Sequence, residues 1–253
     1  CMARNMSRSA ELEKQEVRMS EQFSGQVVLI AGGTGGLGRS VTAAFLDQGA
    51  AVIATYRKQD EFDALRQASG AQAPRLEGLN VDVTNEAAVL QQVAALADKH
   101  GRLDVLINAV GGYAGGRKMW EMDANVLDKM LSANLLPGYV LSRAVVPIML
   151  RRGRGVIVNV AATAAVDHPA SLAAYAASKA AAVAMIDSLD ADLKGTGVRA
   201  NSILPSIIDT EANRKAMPNA DYGKWPKPQD IARVIVFLCS DDARLVHGAS
   251  LRV

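Results

Sequence analysis

The sequence predicts an α/β fold: a doubly wound parallel sheet in three α/β/α layers, formed by a single domain. Short apolar runs alternate with helical patterns from Phe23 to the end of the chain. Most of these runs are continuous rather than alternating, as expected of strands that are buried on both faces. The first run leads directly into a glycine-rich turn and a helix. Because crossovers between parallel strands are right-handed, this order favours a Rossmann-like arrangement.

Seven strands and five longer helices account for most of the domain. The strands are predicted at VVLIAG (27–32), AVIAT (51–55), LEGLNVD (76–82), LDVLIN (103–108), GVIVNV (155–160), VRANSIL (198–204) and ASLRV (249–253). The helices are predicted at 36–48, 85–99, 123–150, 172–194 and 229–240. Residues 205–228 show no clear pattern, and a loop of that length is usually functional or mobile.

Residues 1–22 are charged and lack an apolar signal-peptide core, so we expect a flexible tail ahead of a dinucleotide-binding catalytic domain at 23–253. The 28 basic and 26 acidic residues leave a net charge of +2 with no basic block. This argues against nucleic acid or an anionic membrane as a partner. The apolar runs are interrupted and fall below the roughly 20 residues that span a bilayer.

Cysteine and histidine usage gives no sign of a metal or disulfide. Cys1 and Cys239 form no ligand or pairing pattern, and the scattered residues His100, His168 and His247 have no metal-ligand spacing. The sequence therefore predicts no metal site, and a reducing, cytoplasmic location is the expectation.

The segment AGGTGGLG (31–38) follows the first strand and opens a helix. Glycines at such a turn let the backbone approach a pyrophosphate, which binds the free N–H groups of the helix N-terminus. Two registers are open: Gly33, Gly35 and Gly38 match G-x-G-x-x-G, whereas Gly32, Gly36 and Gly38 match G-x-x-x-G-x-G. A tight strand–helix turn without a ligand is the alternative, but the position favours a dinucleotide site.

The end of the second strand indicates which dinucleotide binds. An NAD site commonly has an acid there for the ribose 2′-hydroxyl, whereas the 2′-phosphate of NADP requires a cation. This sequence reads VIATYRK, with Tyr56, Arg57 and Lys58 and no acid. We expect Arg57 to bind the phosphate and Tyr56 to lie against the adenine, so NADP is predicted over NAD. An ordinary exposed basic loop is the alternative.

The helix at 172–194 contains the segment YAASK, which places Tyr175 and Lys179 on one helical face. A lysine cation near a phenol favours the phenolate and makes the tyrosine a usable proton donor or acceptor. As an isolated spacing this pair commonly means a solvated face. Combined with the glycine turn, it indicates a catalytic pair.

With these motifs the sequence resembles the short-chain dehydrogenase/reductase family over nearly all of residues 23–253. The matching segments are AGGTGGLG, VDVT with Asp82 and Val83, LINAVG (106–111), SANLLPGYVLSRA (132–144), YAASK (175–179) and NSILPSIIDT (201–210). The resemblance implies that Asp82 and Val83 face the adenine and that Asn108 supports the central turn. It also implies that Asn134 orders a water that relays protons through Lys179, and that Lys179 holds the nicotinamide ribose.

The resemblance further implies that residues 207–210 contact the nicotinamide amide and the pyrophosphate. The predicted catalytic residues are Tyr175, Lys179 and Asn134. The predicted cofactor-binding residues are Gly32, Thr34, Gly35, Gly36, Leu37, Gly38, Tyr56, Arg57, Asp82, Val83, Asn108, Ala109, Tyr175, Lys179, Pro205, Ile208 and Thr210.

One departure from the family pattern concerns the substrate. The family usually has a serine thirteen residues before the tyrosine, where it hydrogen-bonds a substrate carbonyl; here that position is Ala162. Thr163 is adjacent, but neighbouring side chains on an extended strand point to opposite faces, so only a local distortion would let it substitute. The retained Asn134, Tyr175 and Lys179 argue against a non-catalytic relative.

Three segments resemble the dihydropteridine reductase branch of the family, which also has alanine at this position. They are AVGGYAGG (109–116), VAATAAVDHPASLAAYAASK (160–179) and DTEANRKAMPNADYGKW (209–225). A quinonoid dihydropterin is a conjugated imine that needs a proton more than a polarised ketone oxygen. Arg57 departs from the acid that the familiar animal enzymes of the branch carry. The alternatives are a carbonyl reductase for ketones or 3-oxoacyl thioesters, and a non-catalytic NADP-binding sensor or scaffold.

Aromatic residues in two loops are candidate substrate walls. Tyr113, Trp120, Tyr222 and Trp225 would stack on a flat substrate or, equally, pin their loops to the core.

The helices at 123–150 and 172–194 carry more apolar residues than one buried stripe needs. Small side chains let helices approach closely, and the resemblance implies the same pairing, so we expect a homodimer or homotetramer through them.

Overall fold

The protein, described by a computed structural model over residues 21–253, forms one sheet of seven parallel strands in the order β3-β2-β1-β4-β5-β6-β7. The strands are β1 (Val27–Ala31), β2 (Ala51–Tyr56), β3 (Leu76–Asn80), β4 (Val105–Asn108), β5 (Gly155–Val160), β6 (Val198–Leu204) and β7 (Ser250–Arg252). All seven predicted strands form. The tail predicted at 1–22 lies outside the described residues up to position 20.

Nine α-helices occur within the described part of the chain. They are α1 (Gly36–Asp47), α2 (Gln59–Ala68), α3 (Glu86–His100), α4 (Asn125–Asn134), α5 (Leu136–Arg152), α6 (Ala164–Asp167), α7 (Ala173–Asp192), α8 (Glu211–Ala216) and α9 (Pro228–Cys239). The single helix predicted at 123–150 is wrong, because the chain breaks at Leu135 and restarts with Pro137 in the first turn of α5.

The strands are continuous apolar runs because both faces of the sheet are covered. Val28 and Ile30 of β1 face α1 and α9, whereas Leu29 and Ala31 face the layer of α3, α5 and α7. All four of these side chains are fully buried. The helix packing therefore confirms the three-layer, doubly wound fold.

Two elements differ from the sequence expectation. The charged segment QDEFDALRQA forms α2, although no helix is predicted there; it buries only Phe62 and Leu65, so its apolar pattern is weak. Within the loop 205–228, residues 211–216 form α8 and Tyr222–Lys224 form one 3-10 turn. The unpatterned loop is thus partly helical.

The stretch Asn125–Arg152 is the one described segment that is long and apolar enough to cross a membrane by length and composition. This differs from the expectation that every apolar run is too short. Its most apolar window is 56% buried inside the protein, as in a core helix of a globular domain, and α4 and α5 divide it.

The sheet order changes direction between β1 and β4, which are direct neighbours. From β1 the chain proceeds to β2 and β3 on one side, and from β4 to β5, β6 and β7 on the other. In such sheets a crevice opens beyond the carboxyl ends of the strands at this switch point. The candidate functional residues gather there.

Candidate active site

The glycine turn between β1 and α1 shows which register has structural importance. Gly32 has a φ of +76°, and a Cβ on Gly38 would lie 2.0 Å from the carbonyl oxygen of Gly32. A Cβ on Gly36 would lie 2.9 Å from Cγ2 of Thr210. A Cβ on Gly33 would lie 2.6 Å from the Cβ of Ala54 in the core, whereas a Cβ on Gly35 would come no closer than 3.3 Å to another atom. The geometry therefore favours the register of Gly32, Gly36 and Gly38.

The N-terminus of α1 is free of side-chain partners. Its N-cap is Gly35, which offers no side-chain hydrogen bond, and the first turn has no acidic residue. The N–H groups of that turn thus keep their capacity for an anion, and the helix dipole favours negative charge there. A cradle whose glycines admit no side chain fits the pyrophosphate of a dinucleotide.

A cleft of about 350 Å³ runs from this turn along the carboxyl ends of β2, β3 and β4. Eight of the predicted cofactor residues line it: Gly32, Thr34, Gly35, Tyr56, Arg57, Asp82, Val83 and Ala109. Leu37 and Ile208 instead pack against the core on the α1 side of the sheet, and Asn108 is buried. Thr210 reaches the turn through its contact with Gly36. Pro205 immediately follows β6, and its carbonyl oxygen accepts from the Thr163 N–H at 3.0 Å.

Basic and acidic side chains lie next to each other at the β2 end of the cleft. The pKa of Asp82 lies below its usual range, mainly because Thr84 donates hydrogen bonds to its carboxylate. The nearby Arg57 cation lowers this pKa further. Glu61 of α2 accepts from the Thr34 hydroxyl at 3.3 Å and lies 3.2 Å from the Lys58 ammonium. The cleft therefore contains a carboxylate that sequence reasoning missed, because α2 was not predicted.

The Tyr56 ring is engaged by the protein itself. It stacks on Phe62 with centroids 4.8 Å apart and an interplanar angle of 13°, and its hydroxyl donates to Gln59 Oε1 at 2.8 Å. One ring face is thus unavailable to an adenine. Tyr56 contributes to the cleft wall as a partner of Phe62.

Lys179 lies one turn after Tyr175 on the same face of α7. It is 5% exposed, and its ammonium donates to the Val160 carbonyl oxygen at 3.0 Å, where β5 ends. Gly111 closes over it: a Cβ there would meet Nζ of Lys179 at 3.1 Å and Oδ1 of Asn134 at 2.8 Å. The structure thus brings the side chains of Lys179 and Asn134 together beneath Gly111.

Burial shifts the proton equilibria of the pair in opposite directions. It raises the pKa of Tyr175 to about 12, with a smaller contribution from Tyr113, and lowers the pKa of Lys179 to about 8. In the cofactor-free protein, burial therefore opposes the phenolate that the nearby lysine is expected to favour. Tyr175 keeps its proton near neutral pH and is poised as a proton donor.

Asn134 connects the loop after β4 to the helix that carries Tyr175. Its Oδ1 accepts from the Gly112 N–H at 2.9 Å, and its Nδ2 donates to the Ser178 hydroxyl at 2.9 Å. Ser178 donates in turn to the Tyr175 carbonyl oxygen at 2.8 Å. Ser178, which lies inside the YAASK segment, was missed because its spacing alone gives no sign of a partner.

Asn108 supports the turn after β4, as the resemblance implies. Its Oδ1 accepts from the Val110 N–H at 3.3 Å, and its Nδ2 donates to Oδ1 of Asn159 on β5 at 2.8 Å. Asn108 and Asn159 are opposite each other in the register of the two strands. The β4 end is thereby tied to the β5 end beneath the cleft.

The surroundings of Tyr175 are apolar on the Ala162 side. Ala162 is 8% exposed and packs in a small cluster with Ala164, Ala176 and Tyr175. Thr163 has helical backbone angles at the start of α6, so the argument from an extended strand does not apply to it. On the other side, the Tyr113 ring meets the Tyr175 ring edge-on, with centroids 5.1 Å apart.

The remaining loop aromatics divide into two kinds. Tyr222 makes contacts within its own loop. Its ring centroid lies 4.9 Å from that of Trp225 and 4.8 Å from Cζ of Arg214. Its hydroxyl donates to the Pro218 carbonyl oxygen at 3.0 Å. Trp120 is 80% exposed. Of the four candidate walls, only Tyr113 contacts Tyr175 among the described residues.

A glycine turn at a helix N-terminus, a cleft along the carboxyl ends of the strands, and a half-buried tyrosine one helical turn from a buried lysine are the features of a nicotinamide-dependent oxidoreductase of the Rossmann type. The short chain dehydrogenase family model matches residues 26–221. The chain belongs to the short-chain dehydrogenase/reductase family.

Curated relatives are similar over nearly their whole length. D-threitol dehydrogenase of Mycolicibacterium smegmatis is 32% identical and is covered over 96% of its length by 94% of this chain. The 3-oxoacyl-acyl-carrier-protein reductase of Thermotoga maritima is 29% identical, with 95% of its length and 90% of this chain covered. The structure of a short-chain type dehydrogenase/reductase from Mycobacterium ulcerans aligns with a TM-score of 0.86 at 26% identity, covering 92% of this chain and 89% of that one.

The depressed pKa of Lys179 predicts a cost to stability. Between the folded value of about 8 and the ordinary 10.5, the unfolded chain binds more protons, so stability rises with pH across that window. Lys179→Met should therefore raise the free energy of unfolding at pH 7 by about 1–3 kcal/mol, and this gain should shrink above pH 8. Urea unfolding at several pH values measures it.

Lys194→Met is the matched control, because Lys194 is exposed just beyond the end of α7. It should change stability little and without this pH dependence. A Lys179→Met protein less stable than the parent at pH 7 would contradict the account.

Proposed function

We propose that this protein is an NADPH-dependent reductase of a small conjugated substrate such as a quinonoid dihydropterin. The observation that carries the proposal is the packing of Tyr175 against Ala162, where a hydroxyl donor is missing. A ketone benefits from a second donor at its developing oxyanion. A conjugated imine needs hydride and one proton, and Tyr175 would supply the proton.

The cofactor supplies hydride when bound, and the residues of the cleft fit it. The N–H groups at the start of α1 would hold the pyrophosphate, and Arg57 would hold the 2′-phosphate. Lys179, directly below Tyr175, would hold the nicotinamide ribose and replace the proton that the phenol gives up. Asn134 would position this pair through Ser178 and Gly112.

Substrate would enter on the Tyr113 side of the site. Tyr113 is 67% exposed, and its ring lies against that of Tyr175. An exposed aromatic ring next to the proton donor suits a flat substrate that stacks on it. This supports a pterin-like substrate together with the segments that resemble the dihydropteridine reductase branch.

Carbonyl reduction is the second candidate, and the relatives favour it. They include a 3-oxoacyl thioester reductase and a polyol dehydrogenase, both of which act at a carbonyl or alcohol carbon. Thr163 at the start of α6 would then have to supply the missing hydroxyl. A non-catalytic NADP sensor would not require a tyrosine proton donor and a lysine buried beneath Gly111, which lines the cleft.

Arg57→Ala should weaken NADPH binding about tenfold or more and leave NADH binding nearly unchanged, because only NADPH carries the 2′-phosphate. Calorimetric titration with each cofactor measures both affinities. Arg66→Ala, an exposed arginine on α2 outside the cleft, is the control and should leave both unchanged. Unaltered NADPH affinity in Arg57→Ala would exclude a role for this residue in phosphate binding.

Restoring the family hydroxyl tests the substrate class. Ala162→Ser should leave quinonoid dihydropterin reduction nearly unchanged and raise any ketone reduction, since an oxyanion donor is often worth about 10²–10³ in rate. Tyr175→Phe should abolish both activities. The rate of NADPH oxidation with each substrate measures these effects. The unaltered protein could instead reduce ketones strongly and lose that activity in Thr163→Val. This result would show that the protein is a carbonyl reductase in which Thr163 supplies the missing hydroxyl.

We also propose that two copies of the chain pair through α4, α5 and α7. An apolar groove of about 710 Å³ lies between these helices, and Leu127, Leu136 and Tyr139 on them remain exposed. Light scattering should give at least a dimer mass at micromolar concentration. Tyr139→Glu should lower that mass, whereas Leu245→Glu, at an 83% exposed position elsewhere, should not. A monomer mass for the unaltered protein would refute the pairing.

A further inference from the structure

We propose that Glu61 limits the preference for NADPH by withholding Lys58 and Thr34 from the 2′-phosphate. This inference deepens the proposed function and rests on it. Glu61 would thereby keep NADH usable by a site whose second strand ends in Arg57 and Lys58. The argument begins with the contacts of the Glu61 carboxylate.

The two oxygens of Glu61 have different partners. Oε2 accepts from the hydroxyl of Thr34, which lies in the glycine turn and is 8% exposed. Oε1 lies 3.2 Å from Nζ of Lys58, which immediately precedes α2. All three residues line the cofactor cleft. The Glu61 carboxylate thus binds one donor from the glycine turn, Thr34, and one from the segment before α2, Lys58.

The remaining cation of this subsite is also opposed. Arg57 lies close enough to Asp82 to lower the pKa of its carboxyl group. Two cations and two carboxylates therefore face one end of the cleft, and Lys58 and Arg57 each have an acidic neighbour. A 2′-phosphate entering this end meets no excess of positive charge.

The consequence differs for the two cofactors. A 2′-phosphate of about −2 charge must compete with Glu61 for Lys58 and is repelled by the carboxylate. A 2′-hydroxyl has no charge, and a carboxylate is the group that NAD sites use to bind it. Neutralising Glu61 should hence strengthen binding of the phosphate form alone.

The experiment uses 2′,5′-ADP and 5′-AMP as probes, because the pair differs only in the 2′-phosphate and involves no turnover. Glu61→Gln should tighten 2′,5′-ADP binding about 3–10-fold and change 5′-AMP binding less than about twofold. The gain should shrink as salt is raised. Calorimetric titration gives the affinities, and NADPH and NADH serve as a second pair.

A double-mutant cycle identifies Lys58 as the group that Glu61 withholds. Lys58→Met should have little effect in the unaltered protein and should remove most of the gain in Glu61→Gln. Asp63→Asn is the matched control: it changes charge equally on the same helix, but Asp63 pairs with Gln59 and lies outside the cleft. It should leave both probes unchanged.

Unchanged or weaker 2′,5′-ADP binding in Glu61→Gln would overturn the inference, as would an equal gain from Asp63→Asn. The affinity of Arg57→Ala for 2′,5′-ADP distinguishes a failure of this inference from a failure of the proposed function. If Arg57→Ala loses affinity for 2′,5′-ADP and Glu61→Gln gains none, only the role of Glu61 fails. If neither variant changes the affinity, the 2′-phosphate site itself is wrong, and both proposals fail.

Discussion

The burial of the Lys179 ammonium is the constraint on which the site depends. No carboxylate pairs with this group among the described residues; it donates instead to the Val160 carbonyl oxygen at the end of β5. Burial without a counter-charge lowers its pKa to about 8, and the burial of Tyr175 raises the pKa of that phenol to about 12. The same crowding requires glycine at position 111, where any Cβ would meet the ammonium and Asn134. The buried Lys179 ammonium thus lowers the stability of the fold at the position where we propose that it serves the reaction.

The sheet holds this arrangement through polar ties between neighbouring strands and loops. Asn108 and Asn159 bind each other across β4 and β5, and Asn134 binds the loop after β4 to α7 through Ser178. These amides are nearly inaccessible to water, so each lost bond would leave a buried polar group unpaired. They fix the cleft floor, Gly112 and the Tyr175 helix relative to one another, which is the preorganisation that proton transfer requires.

Much of this was predictable from the sequence. Strands buried on both faces read as continuous apolar runs, and the glycine turn and the Tyr175–Lys179 pair follow from spacing. Helix α2 was missed because only Phe62 and Leu65 mark its buried side, and Glu61 was missed with it. Spacing shows that Lys179 is near Tyr175, but it does not show that both groups are desolvated, which raises the pKa of Tyr175 and lowers the pKa of Lys179. Likewise, Thr163 was placed on an extended strand, although the chain turns into α6 there.

The proton on Tyr175 is the central claim, and its ionisation can be measured directly. Nuclear magnetic resonance of isotope-labelled tyrosine, with Tyr175→Phe to assign the signal, follows each phenol as the pH is raised in the cofactor-free protein. Tyr175 should stay protonated at pH 10 and ionise only near pH 12. A Tyr175 phenol that ionises below pH 10 in the folded protein would contradict the account, because the Lys179 cation would then outweigh the cost of burial.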